Sequence, residues 1–161
     1  LYIECSFLIS LSYNITHFKA FVYYCNMYSL ETKIRVRYAE TDQMSFVYYG
    51  VYAQYYEVGR VELLRSMGLS YKEIEEMGYT LPVVNMNINY KKPAFYDDEL
   101  TIRTTIKELP SAKITFDYET FNDAGELLNV GEVILVFVDK KTGKPCFAPE
   151  VIMNKFKENI K

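Results

Sequence analysis

The feature that most limits the possible folds is an apolar helix that stands between one strand and four further strands. From residue 52 to residue 67, apolar side chains recur at spacings of three, four and seven residues, which is the period of one helix face. The positions are Tyr52, Tyr55, Tyr56, Gly59, Leu63 and Met67. Buried aromatic area accounts for such a face without any ligand, so we interpret it as core. Gly59 in the helix interior predicts that another backbone approaches closely there.

Strand patterns surround this helix. Before it, KIRVRY from Lys33 alternates charged and apolar residues, as a strand with one buried face does. After it comes a short helix from Ser70 to Met77, with Ser70 and Glu73 in a capping box, and Pro149 begins a last helix. Between these helices lie four strand-like runs: Leu81–Tyr90, Glu99–Glu108, Lys113–Asn122 and Glu126–Asp139. Turn residues separate the runs, so the order predicts an α+β fold with an antiparallel sheet rather than βαβ units.

Length, charge and cysteine content narrow the function classes. The chain has 161 residues, enough for one domain with a real core, and half of them are apolar. Eighteen basic and 21 acidic residues give a net charge of -3, which argues against bulk electrostatic binding of nucleic acid. No apolar stretch approaches the roughly 18 residues that a membrane-spanning helix needs. Cys5, Cys25 and Cys146 match neither a disulfide framework nor a metal-ligand spacing, which fits a reducing cytoplasm.

The chemistry open to the chain is limited by its histidine content. His17 is the only histidine, so any Ser-His-Asp or Cys-His arrangement would have to use it, and a zinc site has too few ligands. The seven glycines never form GxG, so neither a dinucleotide fingerprint nor a P-loop is present. If the region after His17 is an enzyme, its base is therefore a carboxylate, a lysine, a tyrosine or a cysteine. We expect no metal and no cofactor.

Residues 1–26 differ from the rest of the chain. They show no regular period and hold two of the three cysteines, whereas Met27 introduces MYSLETKIRVRYAETD, which looks like a natural beginning. We therefore expect residues 1–26 to be an N-terminal extension and residues 27–161 to be the functional domain. An export signal is the less favoured alternative, because a basic start and a small-residue cleavage site are both missing. The expected location is the cytoplasm.

An acid-containing loop, Ala39 to Gln43, separates the first strand from the helix. Asp42 in this loop lies seven residues before Tyr49, where the apolar helix region begins. Acids in loops usually satisfy local N–H groups as turn or N-cap residues, and the pattern alone favours that role for Asp42. A reactive carboxylate is the alternative.

Two blocks of sequence resemble one known family. RVRYAETDQMSFVYYGVYAQYYEVGRVELL and, later, LPVVNMNINYKKPAFYDDELTIRTTI resemble the acyl-CoA thioesterases of the 4-hydroxybenzoyl-CoA thioesterase type. The two blocks stand in the right order, and together the similarity spans about residues 33 to 140. The resemblance implies a hotdog fold, in which an antiparallel sheet wraps around one long central helix.

The resemblance also implies a catalytic arrangement. The family's loop aspartate maps onto Asp42, and its oxyanion donor, a backbone N–H at the helix start, maps onto Tyr49. Some hotdog enzymes use a glutamate on the helix, which makes Glu57 a second catalytic candidate, with pairing to Arg60 as its structural alternative. Many relatives have His at position 49 and Asn at position 51, where this chain has Tyr49 and Val51. A main-chain donor survives any change of side chain, so the implied oxyanion site is retained.

Substrate contacts follow from the same resemblance. The acyl chain is expected to lie against the tyrosine-rich helix and a neighbouring subunit, with contacts from Tyr48, Gly50 and Tyr52. Lys91 and Lys92 are candidates for binding the CoA phosphates, although an ordinary solvated pair of lysines is the commoner explanation. Because hotdog sheets generally pair across subunits, a homodimer or homotetramer is implied.

The expected function is hydrolysis of an acyl-CoA thioester to the free acid and CoA. Asp42 would deprotonate water or attack the thioester directly, and the sequence leaves both routes open. Glu40 and Thr41 are candidates for a supporting role, with Glu40 expected to be solvated. The alternative from another class is a noncatalytic acyl-CoA-binding or regulatory hotdog domain. A hotdog hydratase is a weaker alternative, because that chemistry usually pairs the acid with a histidine that this part of the chain lacks.

Overall fold

Antiparallel strands and one long helix dominate residues 27–160, the part of the chain that the computed structural model describes. The expectations for residues 1–26, which include the N-terminal extension, His17, Cys5 and Cys25, lie outside the described residues. The helices within residues 27–160 are α1 Tyr52–Ser66, α2 Tyr71–Glu76 and α3 Glu150–Asn159. The strands of the same region are β1 Tyr28–Arg35, β2 Tyr79–Thr80, β3 Val83–Tyr90, β4 Glu99–Ile106, β5 Lys113–Phe121, β6 Leu127–Val136, β7 Val138–Asp139 and β8 Lys144–Pro145.

The larger sheet contains five strands in the order β1-β4-β5-β6-β3, all antiparallel, so β1 and β3 are its edges. A smaller sheet consists of β2, β7 and β8. Buried and part-exposed residues alternate strictly along β4, because successive side chains point to opposite faces of a sheet. The buried face of the larger sheet packs against α1. The predicted antiparallel α+β architecture with one long helix on the sheet is therefore confirmed.

Several predicted boundaries differ from the observed ones. The first strand begins at Tyr28 rather than Lys33, because the alternation of exposed and part-buried residues already starts there. The last predicted run, residues 126–139, is divided: β6 ends at Val136, and β7 belongs to the smaller sheet. The break falls at Phe137, whose N–H still donates to the Ala112 carbonyl beside β5 at 3.0 Å, while its carbonyl accepts the Cys146 N–H at 2.8 Å next to the smaller sheet.

Tyr56, the fifth residue of α1, packs the N-terminal half of the helix onto the sheet. Its ring stacks on the ring of Tyr118 in β5, with centroids 4.0 Å apart and planes 5° from parallel. The same ring covers Gly131 in β6, where an added Cβ would lie 2.9 Å from Tyr56 Cζ and closer still to Cε2. The Tyr56 hydroxyl donates to Asn129 Oδ1 at 2.6 Å. Tyr56 therefore fills the space that the missing side chain of Gly131 leaves.

One turn further along α1, Gly59 also allows a close approach, but its neighbour differs from the prediction. A Cβ on Gly59 would overlap the hydroxyl of Thr104 and lie 3.3 Å from Ile102 Cγ2. The close neighbours at this point are thus side chains of β4 rather than another backbone. Because Gly59 has no side chain, the middle of α1 lies close to these residues of the sheet.

Candidate active site

Asp42 lies in a tight turn immediately before the helix. Its N–H donates to the Phe46 carbonyl at 3.0 Å, and its carbonyl accepts from the Ser45 N–H at 2.9 Å. The carboxylate oxygen Oδ1 accepts the Met44 N–H at 2.8 Å, which is the local turn role that loop aspartates often have. Within residues 27–160, the second oxygen, Oδ2, accepts no hydrogen bond. One half of the carboxylate therefore holds the turn, and the other half remains available to a ligand.

The turn is held in place from both sides. A bridge between Thr41 and Val47 closes its base, and a second bridge joins Phe46 to Phe95. The Val47 N–H also donates to the Ala94 carbonyl at 2.8 Å. These main-chain contacts fix the loop against the segment between β3 and β4, so Asp42 is presented from an ordered backbone.

Glu40 lies beneath this loop and connects it to α1. The residue is only 6% exposed, so the expectation that it is solvated is wrong. The carboxylate accepts the Arg37 N–H at 2.7 Å, Arg37 Nε at 2.8 Å and the Tyr55 hydroxyl at 2.8 Å. Its own carbonyl accepts the Tyr48 N–H at 2.9 Å. Burial alone would raise the pKa of Glu40, but the hydrogen bonds from Arg37 and Tyr55 outweigh it and lower that pKa.

The helix begins with a single 3-10 turn, Tyr49–Val51. The Val51 N–H donates to the Tyr48 carbonyl at 2.9 Å, and the Tyr90 hydroxyl donates to the Tyr49 carbonyl at 2.8 Å. Among the described residues, the N–H groups of Tyr49 and Gly50 have no acceptor. Such unpaired N–H groups at a helix start, together with the helix dipole, favour negative charge.

Tyr48 lies between the loop and the helix start. Its ring centroid is 4.4 Å from that of Tyr49, and its ring packs on Gly50, where an added Cβ would lie 2.9 Å from Tyr48 Cε1. Hydrogen bonding to Tyr49 is the largest cause that raises the pKa of Tyr48, and the negative charge of Asp42 contributes to the rise. The loop that carries Asp42 is joined to the residue before the helix start, because the Tyr48 N–H donates to the Glu40 carbonyl and Thr41 bridges to Val47.

The predicted substrate contact Tyr52 is buried behind this entrance. Its ring lies 5.4 Å from that of Tyr90 in an edge-to-face arrangement and 5.7 Å from that of Tyr55. Burial raises the pKa of Tyr52 to about 12, so this phenol stays neutral. Tyr52 forms part of the floor of the site, whereas Tyr48 and Gly50 are accessible at its surface.

The second catalytic candidate, Glu57, points to a different environment. Its side chain is 65% exposed, and Arg60 NH2 approaches Glu57 Oε2 at 3.4 Å. Arg60 is itself buried, and its Nε donates to the Tyr71 hydroxyl at 3.2 Å. Within the single chain, Glu57 therefore pairs with Arg60, as the non-catalytic interpretation of this residue predicted.

The lysine pair lies at the end of β3. Both main-chain N–H groups donate to the Leu128 carbonyl, at 2.8 Å for Lys91 and 3.0 Å for Lys92. Lys92 Nζ forms an ion pair with Glu126 at 2.5 Å, while the Lys91 side chain has no partner within residues 27–160. Because Lys91 directly follows Tyr90, which reaches the helix start, the pair stands beside the candidate site.

Two contributors to the site were missed from the sequence. Tyr55 was interpreted only as core, although its hydroxyl holds Glu40. Tyr90 was interpreted only as part of a strand, although its hydroxyl reaches a main-chain atom 41 residues away. The available signal for Tyr55 was its place on the helix face that also meets the loop. For Tyr90 the sequence carries no local signal, because the partner is a main-chain carbonyl.

Comparison with known proteins assigns the chain and its fold to a class. The profile described as Thioesterase-like superfamily matches residues 36–156. The chain is 40% identical over 119 residues to the putative acyl-CoA thioesterase YneP of Bacillus subtilis, which covers 74% of this chain and 86% of that protein. It is 34% identical over 125 residues to the acyl-CoA thioester hydrolase YbgC of Escherichia coli O6:H1, covering 78% and 93%.

A solved structure gives the same answer at the level of the fold. The DHNA-CoA thioesterase from Staphylococcus aureus superposes with a TM-score of 0.71 at 36% identity, covering 74% of this chain and 80% of that one. The fold is that of the hotdog thioesterases, and the resemblance seen in the two sequence blocks is confirmed. The chain belongs to the Thioesterase-like superfamily and is a thioester hydrolase. No helix in residues 27–160 is long and apolar enough to cross a membrane.

Proposed function

We propose that this chain hydrolyses acyl-CoA thioesters to the free acid and CoA, with Asp42 as base or nucleophile and the Tyr49 N–H as oxyanion donor. The observation that carries the proposal is an Asp42 carboxylate with only Oδ1 engaged, in a loop bonded through Glu40 and Tyr48 to a helix start whose first N–H groups have no acceptor among the described residues. The relatives named as acyl-CoA thioesterases support the substrate class.

Thioester hydrolysis needs an attacking oxygen and a stabiliser for the carbonyl oxygen that becomes negative. In one route, Asp42 takes a proton from water while the water oxygen bonds to the acyl carbon. In the other, Asp42 attacks directly and forms a mixed anhydride that water then cleaves. In both routes the C–S bond breaks, and the CoA thiolate leaves with the electron pair and takes up a proton. Because a thiolate is a good leaving group, no histidine is required.

The helix start is suited to stabilising the carbonyl oxygen that becomes negative. A main-chain N–H at Tyr49 is directed by the helix and needs no reorganisation when the oxygen becomes negative. One such donor is typically worth about 3 kcal/mol of transition-state stabilisation. Tyr48, Gly50 and Tyr52 would contact the acyl group, and Lys91 would meet the CoA phosphates with Lys92 as a second cation. Glu57 stays the second candidate for the base, because its exposed carboxylate could face a partner subunit.

We also propose a homodimer formed through β3, with a tetramer as the larger alternative. β3 is an edge strand, and two of its apolar residues are open to solvent, Val83 at 46% and Val84 at 54% exposure. An edge with unpaired main-chain groups is a template for pairing with a second copy. Residues 27–161 would form the thioesterase unit, which the profile match from residue 36 supports.

The test is thiol release from a panel of short, long and aromatic acyl-CoAs. Asp42→Asn keeps the oxygen that accepts the Met44 N–H, so we expect the variant to fold and to lose about 10²- to 10⁴-fold in kcat. Asp123→Asn is the matched control, because Asp123 is an exposed turn aspartate between β5 and β6. Hydrolysis by Asp42→Asn at the wild-type rate would remove Asp42 from the mechanism. Binding of acyl-CoA without thiol release from any substrate would indicate a binding domain instead.

A further inference from the structure

One hydrogen bond links the edge strand β3 to the start of α1. The Tyr90 hydroxyl donates to the Tyr49 carbonyl at 2.8 Å, although the residues are 41 positions apart. The Tyr90 ring also makes an edge-to-face contact with the ring of the buried Tyr52, with centroids 5.4 Å apart, and this contact restricts the orientation of Tyr90. The end of β3 is thereby connected to the 3-10 turn that begins the helix.

This bond acts on a particular peptide unit. In a trans peptide the C=O of one residue and the N–H of the next lie in one plane and point in opposite directions. Fixing the Tyr49 carbonyl therefore fixes the direction of the Gly50 N–H. The preceding peptide is fixed in the same way, since the Tyr48 carbonyl accepts the Val51 N–H at 2.9 Å. The N–H groups of Tyr49 and Gly50 are thus held side by side.

We propose that Tyr90 is a positioning residue for the oxyanion site: its hydroxyl holds the Tyr49–Gly50 peptide so that the Gly50 N–H acts as a second donor beside the Tyr49 N–H. This inference rests on the proposed function. Tyr90 acts through the Tyr49 carbonyl and not on the substrate. Because the oxygen becomes negative only in the transition state, the bond contributes to kcat rather than to KM.

The first measurement compares Tyr90→Phe with a matched control. Loss of one oxyanion donor typically costs 10²- to 10³-fold, and a donor that is only misaligned costs less, so we expect kcat to fall about tenfold with KM within about twofold. The control is Tyr28→Phe. Tyr28 is also a strand tyrosine bonded to α1, sharing a hydrogen bond of 2.9 Å with Ser66 Oγ, but at the other end of the helix. We expect its kcat to stay at the wild-type value.

The second measurement does not depend on catalysis. The chain contains seven glycines, so labelling with ¹⁵N-glycine gives at most seven amide signals in an NMR spectrum. The Gly50 signal is identified by its loss in Gly50→Ala. We expect that signal to shift in Tyr90→Phe and to stay in place in Tyr28→Phe, because the lost bond belongs to the Gly50 peptide.

The outcomes separate this inference from the proposed function. Full kcat in Tyr90→Phe, while Asp42→Asn is inactive, overturns the positioning role alone. An equal fall of kcat in Tyr90→Phe and Tyr28→Phe overturns it too, because the effect is then one of general stability. Wild-type protein that releases thiol from no acyl-CoA overturns the proposed function, and the role of Tyr90 with it.

Discussion

At the scale of single residues, Glu40 connects the loop that carries Asp42 to both Arg37 and α1. It is a buried acid placed two residues before Asp42, and it joins the loop to Tyr55 in the first turn of α1. Its carbonyl also receives the Tyr48 N–H, which leads directly into the helix start. A buried carboxylate is stable only when its oxygens are hydrogen-bonded, and here Arg37 and Tyr55 satisfy them.

Glu40 should make the fold sensitive to acid. Its pKa in the folded protein is below the ordinary value of 4.5, so the unfolded chain takes up the proton first as pH falls. The stabilisation is therefore fully present above about pH 4.5 and is lost as pH falls through the folded value. We expect Glu40→Gln to cost about 1–3 kcal/mol near pH 7 and to show a smaller loss of stability toward pH 3 than the wild type. Urea unfolding at several pH values measures both effects.

Glu76→Gln is the control for that experiment. Glu76 is 65% exposed and approaches Lys72 only at 3.9 Å, so its substitution should leave the pH dependence of stability unchanged. If Glu40→Gln and the wild type lost stability in parallel between pH 7 and pH 3, the buried carboxylate would not be the group that responds to acid.

At the scale of elements, the contact between α1 and β4 determines how deeply the helix lies on the sheet. Gly59 and Thr104 meet where a Cβ on the helix has no room, and Thr104 is fully buried. In an exposed helix, alanine in place of glycine gains about 1 kcal/mol. Here the overlap with Thr104 opposes that gain.

We expect Gly59→Ala to destabilise the protein by about 1–3 kcal/mol, because overpacking a filled interface forces the helix or Thr104 to move. The double variant Gly59→Ala with Thr104→Ala removes the overlapping hydroxyl and should recover part of the loss. Denaturant unfolding of the two single variants and the double variant gives the coupling between the positions. Additive losses would mean that the two residues do not compete for the same space.

At the scale of the whole molecule, the exposed edge of β3 suggests that the site depends on self-association. β3 carries Tyr90 at its end, so pairing of this strand with a second copy would also steady the hydroxyl that reaches Tyr49. The protomer and the dimer would then differ in activity, and specific activity would rise with protein concentration.

Val84→Lys tests this dependence. A lysine on an edge strand disfavours pairing of that edge with another strand, so we expect a dimer dissociation constant at least about tenfold higher and a lower specific activity at the same concentration. Val151→Lys is the control, because Val151 is 63% exposed but lies on α3. Analytical ultracentrifugation and thiol release check the two effects. A monomeric Val84→Lys protein with full activity would contradict the dependence.

The sequence was sufficient for features that repeat along the chain and insufficient for contacts between distant segments. The period of the Tyr52–Ser66 helix and the turn residues between the strands predicted the antiparallel α+β architecture, because burial of one face leaves a repeating pattern, and the family resemblance then implied the hotdog fold. Glu40 lies in an irregular loop without a repeating pattern, so the sequence carried no sign that this residue is buried. The bond from Tyr90 to the Tyr49 carbonyl was equally invisible, because any residue at position 49 would supply the acceptor.

The fit of Tyr56 over Gly131 has a consequence for how this protein can diverge. The two positions are 75 residues apart in the chain, but the Tyr56 ring occupies the space that a side chain at position 131 would need. A substitution at one position therefore affects which residues the other can accept. A side chain gained first at position 131 would collide with the ring, whereas a smaller residue gained first at position 56 would leave a cavity and remove the donor to Asn129 Oδ1, without any steric overlap. We therefore expect position 56 in the helix to be substituted before position 131 in the strand. Homologues with a side chain at the position of Gly131 should accordingly have lost the tyrosine opposite it.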